Sequence, residues 1–306
     1  MGKNQTGSVR VRRHSFKEWM TAVRPWSFPA SVMPVITVLA YLFWAGNEIN
    51  WWLGLWTVVN MVLFHCAGNT WSDWYDFRNN VDAGDTFGAR TITSGMFRPE
   101  EIRNLSVGLL LVSLAGGIAL LFLTGLPLLW IGLAGAACAV LYPLLKYRAA
   151  GDLVIMMAFS ILPSLGTSFV VTGAVDWGVL WVAVPVGLIT VAILHINNLR
   201  DITTDRRAGI STFAMRIGAR TSVHVYNFEV IFPFFWVFAC ALGRIFPWMS
   251  LLVFLAAFPA LLNVRTVIRY RSEGMSAISG LDEDTARLQM IFSLIFSLSF
   301  FLAALF

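Results

Sequence analysis

Nine apolar runs, each close to the roughly 20 residues that a helix needs to cross a bilayer, constrain this chain most. Their approximate limits are 26–46, 52–72, 105–124, 127–145, 152–172, 178–197, 222–242, 247–264 and 288–305. With 58% hydrophobic and 13% charged residues, the chain is too apolar for a soluble domain. The sequence therefore predicts an all-α, polytopic membrane protein with nine transmembrane helices.

The basic residues predict how these helices are oriented. All Lys and Arg residues except Arg244 fall in the N-terminal arm or in loops on one side of the nine runs. The positive-inside rule places that side in the cytoplasm, and the odd number of runs then places Phe306 outside. We expect a basic arm at 1–15, a single domain at 16–306, no removable signal peptide, and a plasma (inner) membrane location.

The most informative polar stretch, 197–207, follows the sixth apolar run. Asn197, Asp201 and Asp205 stand at i, i+4 and i+8, so on a helix three oxygen-bearing side chains share one face. Carboxylates of this kind suit Mg²⁺, which is held by a few carboxylates together with substrate phosphates. Arg200 and Arg206 lie alongside, and a guanidinium matches phosphate oxygens in a bidentate fork.

A second polar helix end follows the second apolar run. Asn69, Asp73 and Asp76 stand at i, i+4 and i+7, again on one helical face. A single such end has an ordinary explanation as a solvated helix terminus. Two that face each other would form a clamp for a diphosphate and two metal ions, which is our working hypothesis.

Together with Tyr142 and Lys146, four residues apart, these motifs resemble the UbiA superfamily of intramembrane prenyltransferases. The closest resemblance is to its branch of 1,4-dihydroxy-2-naphthoate polyprenyltransferases of menaquinone biosynthesis. The similarity runs from Arg24 to Gly218 and is most specific from Asn197 onward. It implies a nine-helix bundle with cytoplasmic cap loops around a central cavity that opens sideways to lipid.

The resemblance also implies two Mg²⁺ ions held by the aspartates of the two motifs. The implied metal ligands are Asp73, Asp76, Asp82, Asp201 and Asp205. The first motif departs from the family pattern and leaves two alignments open. Aligning the carboxylates puts Ser72 where the family has Asn, whereas aligning Asn69 puts Thr70 where the family has Asp. The second alignment leaves Asp76 dispensable.

The resemblance assigns further residues to the substrates. Tyr142, Lys146 and Arg90 are implied to act on the diphosphate as catalytic residues. The implied substrate-binding residues are Asn69, Asn197, Arg24, Arg200 and Arg206. Three other polar residues keep two interpretations each. His65 and His195 either contact an aromatic substrate or are core residues whose ring nitrogens are hydrogen-bonded within the protein. Asp152 is either a helix N-terminal charge or a neighbour of that substrate.

The implied reaction is Mg²⁺-dependent transfer of a polyprenyl chain from an allylic diphosphate to 1,4-dihydroxy-2-naphthoate. Attack by the carboxylated carbon and loss of CO₂ would give demethylmenaquinone. Another aromatic acceptor, such as 4-hydroxybenzoate, is an alternative, and a cation transporter is the rival of a different class. The expected partners are the two substrates and membrane lipid. The net charge of +5 resides in loops, so nucleic acid is not expected.

The predicted orientation is testable by cysteine labelling. We expect Gly84→Cys and Gly209→Cys to resist a membrane-impermeant maleimide in intact cells and to react once the membrane is opened, because both positions lie in basic loops. A cysteine at Arg244, in the opposite loop, is the control that should react from outside. Efficient labelling of position 84 or 209 in intact cells would reverse the topology.

Overall fold

Helices make up nearly all of the regular structure. The computed structural model describes residues 13–79 and 90–306, and within these ranges the one β-type pairing is an isolated bridge between Arg148 and Ser211. The α-helices are α1 (Phe16–Val23), α2 (Pro29–Trp44), α3 (Trp51–Arg78), α4 (Pro99–Thr124), α5 (Pro127–Lys146), α6 (Gly151–Met156), α7 (Leu162–Thr172), α8 (Val179–Arg200), α9 (Ile202–Arg207), α10 (Phe213–Ile217), α11 (Ala219–Leu242), α12 (Ala257–Glu273) and α13 (Leu281–Leu305). A π-helical turn, Met157–Ile161, joins α6 to α7, and a 3₁₀ helix, Trp248–Ala256, leads into α12.

The helices match the predicted number of spans. Among the described residues, eight helical stretches are long and apolar enough to cross a membrane. The bent pair Phe16–Ser27 and Pro29–Trp44, with an angle of 49° between its parts, makes a ninth if it is counted as one span. The predicted all-α polytopic bundle is therefore confirmed.

Two spans are longer than their apolar runs because charged turns extend them. The second run was expected to end at residue 72, but α3 continues to Arg78 and carries Asn69, Asp73 and Asp76 of the first motif. The ninth was expected to begin at 288, but α13 begins at Leu281. Its first turn contains Asp282, Glu283 and Asp284, and negative charge there is stabilised by the helix dipole.

Helix α8 lies at the centre of the bundle, and about two thirds of the residues in its most apolar stretch are buried inside the protein. It packs against α2, α6, α11 and α13. At Gly187 a Cβ atom would lie 2.6 Å from Met156 Sδ and 2.7 Å from Ser160 Cβ, so only glycine permits this approach to the π turn. The Ser160 hydroxyl donates to the Ala183 carbonyl at 2.6 Å and ties the turn to α8. The polar end of α8 is thus positioned by the closely packed part of the helix that precedes it.

Helices α4 and α5 present apolar surface to the outside of the bundle. Only a small fraction of the residues in their most apolar stretches is buried inside the protein. Phe122 and Trp130 are largely exposed, as are Leu111 and Leu133. Such continuous apolar surface is stable only against lipid tails, which is consistent with the span assignment.

The short helix α1 positions the chain that enters α2. Ser15 caps it, since its hydroxyl accepts from the Glu18 amide at 3.2 Å while the Glu18 carboxylate accepts from the Ser15 amide at 2.7 Å. The helix ends at Arg24, whose backbone is left-handed with φ of 56°. Ala22 packs into a small apolar cluster with Phe97 and Ile102, which fixes α1 against the start of α4.

The close approach at Gly187 gives a stability prediction. We expect Gly187→Ala to destabilise the protein by about 1–3 kcal/mol, because the added Cβ displaces the Ser160 turn. Gly108→Ala is the matched control: it lies within α4 with no heavy atom within 4 Å of its added Cβ. Thermal unfolding in detergent should show a lower midpoint for Gly187→Ala, and equal midpoints for the two variants would contradict this packing.

Candidate active site

The first motif places Asp73 near the cytoplasmic end predicted for α3. This carboxylate is buried and forms an ion pair between its Oδ1 and Arg24 Nη2. Its Oδ2 accepts from the Thr91 hydroxyl at 3.2 Å. Asp73 is therefore held by the segment before α2 on one side and by the loop before α4 on the other.

Asp76, one turn further along, faces different partners. The Tyr147 hydroxyl donates to its Oδ1, and Lys146 Nζ lies 3.9 Å from its Oδ2. Both partners come from the end of α5 and the residue that follows it. The structure thus connects Asp76 with the predicted Tyr142–Lys146 element, whereas Asp73 is connected with Arg24.

Asn69 does not point to a carboxylate in this arrangement. Its Nδ2 donates to the Val23 carbonyl at 3.3 Å and to Ser27 Oγ at 3.2 Å. The side chain therefore fastens the turn around Arg24 to α3. These contacts position Arg24, because the N-terminal segment folds over this turn of α3. A contact between Asn69 and substrate stays a prediction.

The second motif spans a break between two helices. Helix α8 ends at Arg200, and α9 begins after Asp201, whose φ and ψ are −92° and 7°. The backbone bonds from Asp201 N to Asn197 O and from Asp205 N to Asp201 O, each 2.9 Å, keep the one-turn spacing. The predicted stacking of Asn197, Asp201 and Asp205 therefore persists although the helix is interrupted.

Arg200 is occupied by carboxylates of the protein itself. Its Nε donates to Asp201 Oδ1 at 2.9 Å and its Nη2 to Asp201 Oδ2 at 3.2 Å, in a bidentate fork. Its Nη1 lies 2.9 Å from Asp282 Oδ2 at the start of α13. These contacts orient Asp201, because the guanidinium is buried between the two acids. A contact between Arg200 and substrate phosphate stays a prediction.

Two buried oxygen atoms of the second motif have no hydrogen-bond partner. They are Asn197 Oδ1 and Asp205 Oδ2. Burial raises the pKa of the Asp205 carboxyl to about 7, while Lys146 lowers it and Asp201 raises it. Unpaired buried oxygens beside clustered carboxylates fit a hard cation, since Mg²⁺ takes oxygen ligands and offsets the cost of burying the charges.

The two motifs meet at Lys146. The charges that act on Asp205 include Lys146 and Asp76 as well as its neighbour Asp201. The backbone reinforces this meeting, since the Ser211 amide donates to the Tyr147 carbonyl at 3.2 Å and joins the loop after α9 to the end of α5. Carboxylates from α3, from the α8–α9 break and a lysine from α5 thus form one site.

The other predicted residues lie in varied positions. Tyr142 is half-buried on α5, one turn before Lys146. Arg90 and Arg206 are exposed, and Arg90 has a left-handed backbone with φ of 47°. Asp82 lies outside the described residues.

The two histidines and Asp152 are buried or partly buried in hydrogen-bonded positions. His65 Nδ1 is 3.0 Å from Ser31 Oγ, and its ring meets Phe159 edge-on with 4.9 Å between centroids. His195 Nδ1 is 2.9 Å from Asp152 Oδ2. Asp152 therefore pairs with a specific partner, beyond the helix N-terminal charge that the sequence offered as one interpretation.

Sequence reasoning missed two residues that contact the carboxylates. These are Thr91, which donates to Asp73, and Tyr147, which donates to Asp76. Tyr147 directly follows Lys146, so a donor at the end of α5 was a signal available in the sequence. Thr91 adjoins the predicted Arg90, but nothing local indicates that its hydroxyl reaches α3.

The comparison with known families agrees with this geometry. Residues 32–279, most of the chain, match the UbiA prenyltransferase family. The chain belongs to this family. The finer assignment to a naphthoate branch stays a prediction.

Individual relatives of this UbiA-family chain come from animals. It is 35% identical over 229 residues to the UbiA prenyltransferase domain-containing protein 1 homolog of Drosophila melanogaster, covering 71% of this chain and 62% of the relative, less than two thirds of its length. It is 30% identical over 304 residues to UbiA prenyltransferase domain-containing protein 1 of Mus musculus, covering 96% of this chain and 87% of the relative.

Solved structures share the fold at low sequence identity. A UbiA homolog from Aeropyrum pernix K1 in its apo form aligns with a TM-score of 0.64 and 15% identity over 90% of this chain and 97% of that chain. A UbiA homolog from Archaeoglobus fulgidus bound to GPP and Mg²⁺ aligns with a TM-score of 0.58 and 13% identity over 92% of this chain and 99% of that chain. These likenesses support the membrane bundle.

The Tyr147 contact provides a test of the two alignments of the first motif. If Asp76 holds a metal, Tyr147→Phe should weaken the apparent Mg²⁺ affinity about 10–100-fold, because the carboxylate loses the donor that orients it. Asp76→Asn should lower turnover by at least about 100-fold. Measuring prenyl transfer against Mg²⁺ concentration tests both.

Tyr75→Phe is the matched control, since its ring lies 6.0 Å from that of Tyr147 and no described contact joins its hydroxyl to a carboxylate. Unchanged Mg²⁺ dependence in both Tyr147→Phe and Asp76→Asn would favour the alignment on Asn69.

Proposed function

We propose that this protein transfers a polyprenyl chain from an allylic diphosphate to 1,4-dihydroxy-2-naphthoate in a Mg²⁺-dependent reaction. Loss of CO₂ from the attacked carbon would leave the prenylated 1,4-naphthalenediol, which is demethylmenaquinol, the two-electron-reduced form of demethylmenaquinone. The site lies at the cytoplasmic face of the plasma (inner) membrane, where a water-soluble aromatic acid and a lipid-bound donor can both reach it. Membership of the UbiA prenyltransferase family supports the reaction class.

One observation carries this proposal: the carboxylates of two distant helix ends converge on Lys146. Lys146 Nζ is 3.9 Å from Asp76 Oδ2, and its charge lowers the pKa of buried Asp205 more than the charge of Arg200 does. A structural ion pair needs one acid for one lysine, and this arrangement has a surplus of acids. Such a surplus is expected where a cation and a phosphate group are to be bound together.

The acids of the two motifs are the residues that would hold Mg²⁺. We assign Asp76, Asp201 and Asp205 to this role, with Asp73 and Asp82 as the remaining candidates of the first motif. When bound, Mg²⁺ would neutralise the negative charge that develops on a departing diphosphate. The Archaeoglobus fulgidus homologs bound to GPP and Mg²⁺ and to DMAPP and Mg²⁺ support a prenyl diphosphate as the donor.

The protein's own cations would act on the same diphosphate. Lys146 is a point charge at the end of α5, able to shift from Asp76 to a phosphate oxygen as charge develops. Tyr142, one turn before Lys146 on α5, would donate to a phosphate oxygen. Arg24, paired with Asp73, is the second guanidinium beside the first motif. Arg200 holds Asp201 in position.

The apolar surroundings would protect the allylic cation that forms when the diphosphate departs. One turn deeper than Asn69 on α3, His65 packs between Phe159 and Phe28, with centroids 4.9 and 6.1 Å away. Aromatic faces stabilise a cation, and the exclusion of water prevents its hydrolysis. The electron-rich acceptor ring then forms the new carbon–carbon bond.

The naphthoate acceptor rests on the form of the second motif. The order Asn197, Asn198, Arg200, Asp201 resembles the naphthoate branch more closely than the 4-hydroxybenzoate branch. The animal relatives are named only by family, so they leave the acceptor open. 4-Hydroxybenzoate remains the alternative acceptor.

Purified protein in lipid nanodiscs would test the proposal directly. It should be incubated with prenyl diphosphates of several lengths and with 1,4-dihydroxy-2-naphthoate, 1,4-dihydroxynaphthalene or 4-hydroxybenzoate, with Mg²⁺ or with chelator, and the products identified by mass. We expect a Mg²⁺-dependent product from the naphthoate together with release of its labelled carboxyl carbon as CO₂.

Asp201→Asn should abolish this product, whereas Asp176→Asn, the matched control before α8, should not. Asp176 accepts from the Gly178 amide at 2.7 Å, and Asn retains that acceptor. Product from 4-hydroxybenzoate alone would transfer the assignment to that acceptor. No product from any of the three rings would refute aromatic prenyl transfer.

A further inference from the structure

A second polar cluster lies in the membrane bundle, apart from the acid motifs. Asp152 at the start of α6, His195 on α8 and Glu229 on α11 each offer one ligand atom, and these atoms all lie within 4.8 Å of one another. His195 Nδ1 is 2.9 Å from Asp152 Oδ2 and 3.9 Å from Glu229 Oε1. Three separate helices therefore direct one titratable group each to a common point.

The cluster faces away from the acid motif on the same helix. Successive residues of an α-helix are about 100° apart, so His195 projects roughly 160° away from Asn197. Asn198 lies on the His195 side, and its Nδ2 is 3.4 Å from Asp152 Oδ1. On α8 the two groups of residues therefore project to different sides, while at the start of α6 Gly151, beside Asp152, packs against Lys146, whose Cα would lie 3.3 Å from a Cβ added there. The proposed prenyl transfer assigns no step to the Asp152 cluster.

The groups of this cluster are buried and incompletely paired. The His195 side chain is fully buried, and Glu229 is about one-twentieth exposed. His195 Nε2 and Glu229 Oε2 have no hydrogen-bond partner. Both carboxylates share the same ion-pair partner, His195, so two acids depend on one imidazole. The unpaired Glu229 Oε2, beside two acids that share one imidazole, indicates a missing cation, since buried polar groups are normally paired. His195 Nε2 lies on the other side of the ring from Nδ1 and is not part of this argument.

We propose that Asp152, His195 and Glu229 bind a divalent transition-metal ion of the Zn²⁺ type. Imidazole nitrogen with two carboxylate oxygens is a donor set that favours Zn²⁺ over Mg²⁺. The Asn198 amide restrains Asp152, as outer partners of metal ligands commonly do. The ion neutralises the excess of negative charge that one imidazole leaves uncompensated.

The distances accommodate such an ion. With bonds of about 2.1 Å, the ligand atoms of a tetrahedral Zn²⁺ are roughly 3.4 Å apart. The observed separations from Nδ1, 2.9 and 3.9 Å, fall on either side of this value. Binding therefore requires His195 Nδ1 and Asp152 Oδ2 to part by about half an ångström and Glu229 to approach Nδ1 by about as much. All three ligand atoms already lie within 4.8 Å of one another. Asp152 retains some exposure at the start of α6, which provides a route of entry.

A metal at this point would crosslink α6, α8 and α11 behind the catalytic end of α8. Its role is structural: it fixes the face of α8 opposite Asn197 and Asp201. This inference does not depend on the identity of the acceptor or on prenyl transfer itself.

Cobalt is a suitable probe because Co²⁺ occupies sites of this kind and absorbs visible light. Full-length protein in detergent is stripped with chelator and titrated with Co²⁺ in the presence of saturating Mg²⁺, which blocks the acid motifs. We expect an absorption band that saturates at about one Co²⁺ per chain and is displaced by Zn²⁺. Zn²⁺ should also raise the unfolding temperature of the stripped protein.

Variants separate the two sites. His195→Gln and Glu229→Gln should lose the band and the Zn²⁺-dependent rise, while Asp201→Asn retains both. Glu229→Gln, which keeps its size and shape, serves if His195→Gln does not fold. Absence of a band in the wild type, or a band that survives Glu229→Gln, would overturn the proposal. Asp152, His195 and Glu229 would then be a hydrogen-bonded cluster without a metal. Loss of prenyl transfer in Asp201→Asn with the band intact would show that the two sites fail independently.

Discussion

Carboxylates buried at the ends of apolar helices must be neutralised, and much of this structure is arranged around that requirement. Removing a charge from water costs several kcal/mol unless a partner compensates it. Asp73 is compensated by Arg24, Asp76 by Lys146 and Tyr147, and Asp201 by Arg200. Asp205 retains an unpaired oxygen. The protein thus holds these acids in place without pairing every carboxylate oxygen, which suits a site where a bound ligand supplies the remaining partners.

Helix α8 gives this arrangement its rigidity. It is packed on several sides by other helices and closed against the π turn at Gly187, so its polar end has little freedom to move. One face of that end carries Asn197 and Asp201, and the other carries His195. Precise placement of a site depends on supporting contacts as much as on the ligands themselves.

The sequence predicted what depends on local pattern. Apolar length located the spans, and 127–145 differs from α5 by a single residue. The spacing of the acids predicted which of them share a face, and this survived the helix break at Asp201. Tertiary contacts could not be predicted from local pattern. The ion pair between Arg200 and Asp282 joins residues 82 positions apart. Asn69 donates a hydrogen bond to the chain before α2. The nine-residue 3₁₀ helix at Trp248–Ala256 was also missed, since its apolar run has the same composition as an α-helix.

The left-handed turn at Arg24 has a mechanical consequence. Helix α1 ends there, α2 begins five residues later, and the guanidinium between them reaches Asp73. Phe16 and Trp26, at the two ends of this segment, are exposed aromatics of the kind that settle at lipid headgroups. Both aromatic rings therefore lie on the same short segment as Arg24, so the depth at which this segment rests in the bilayer would bear on where the guanidinium stands beside Asp73.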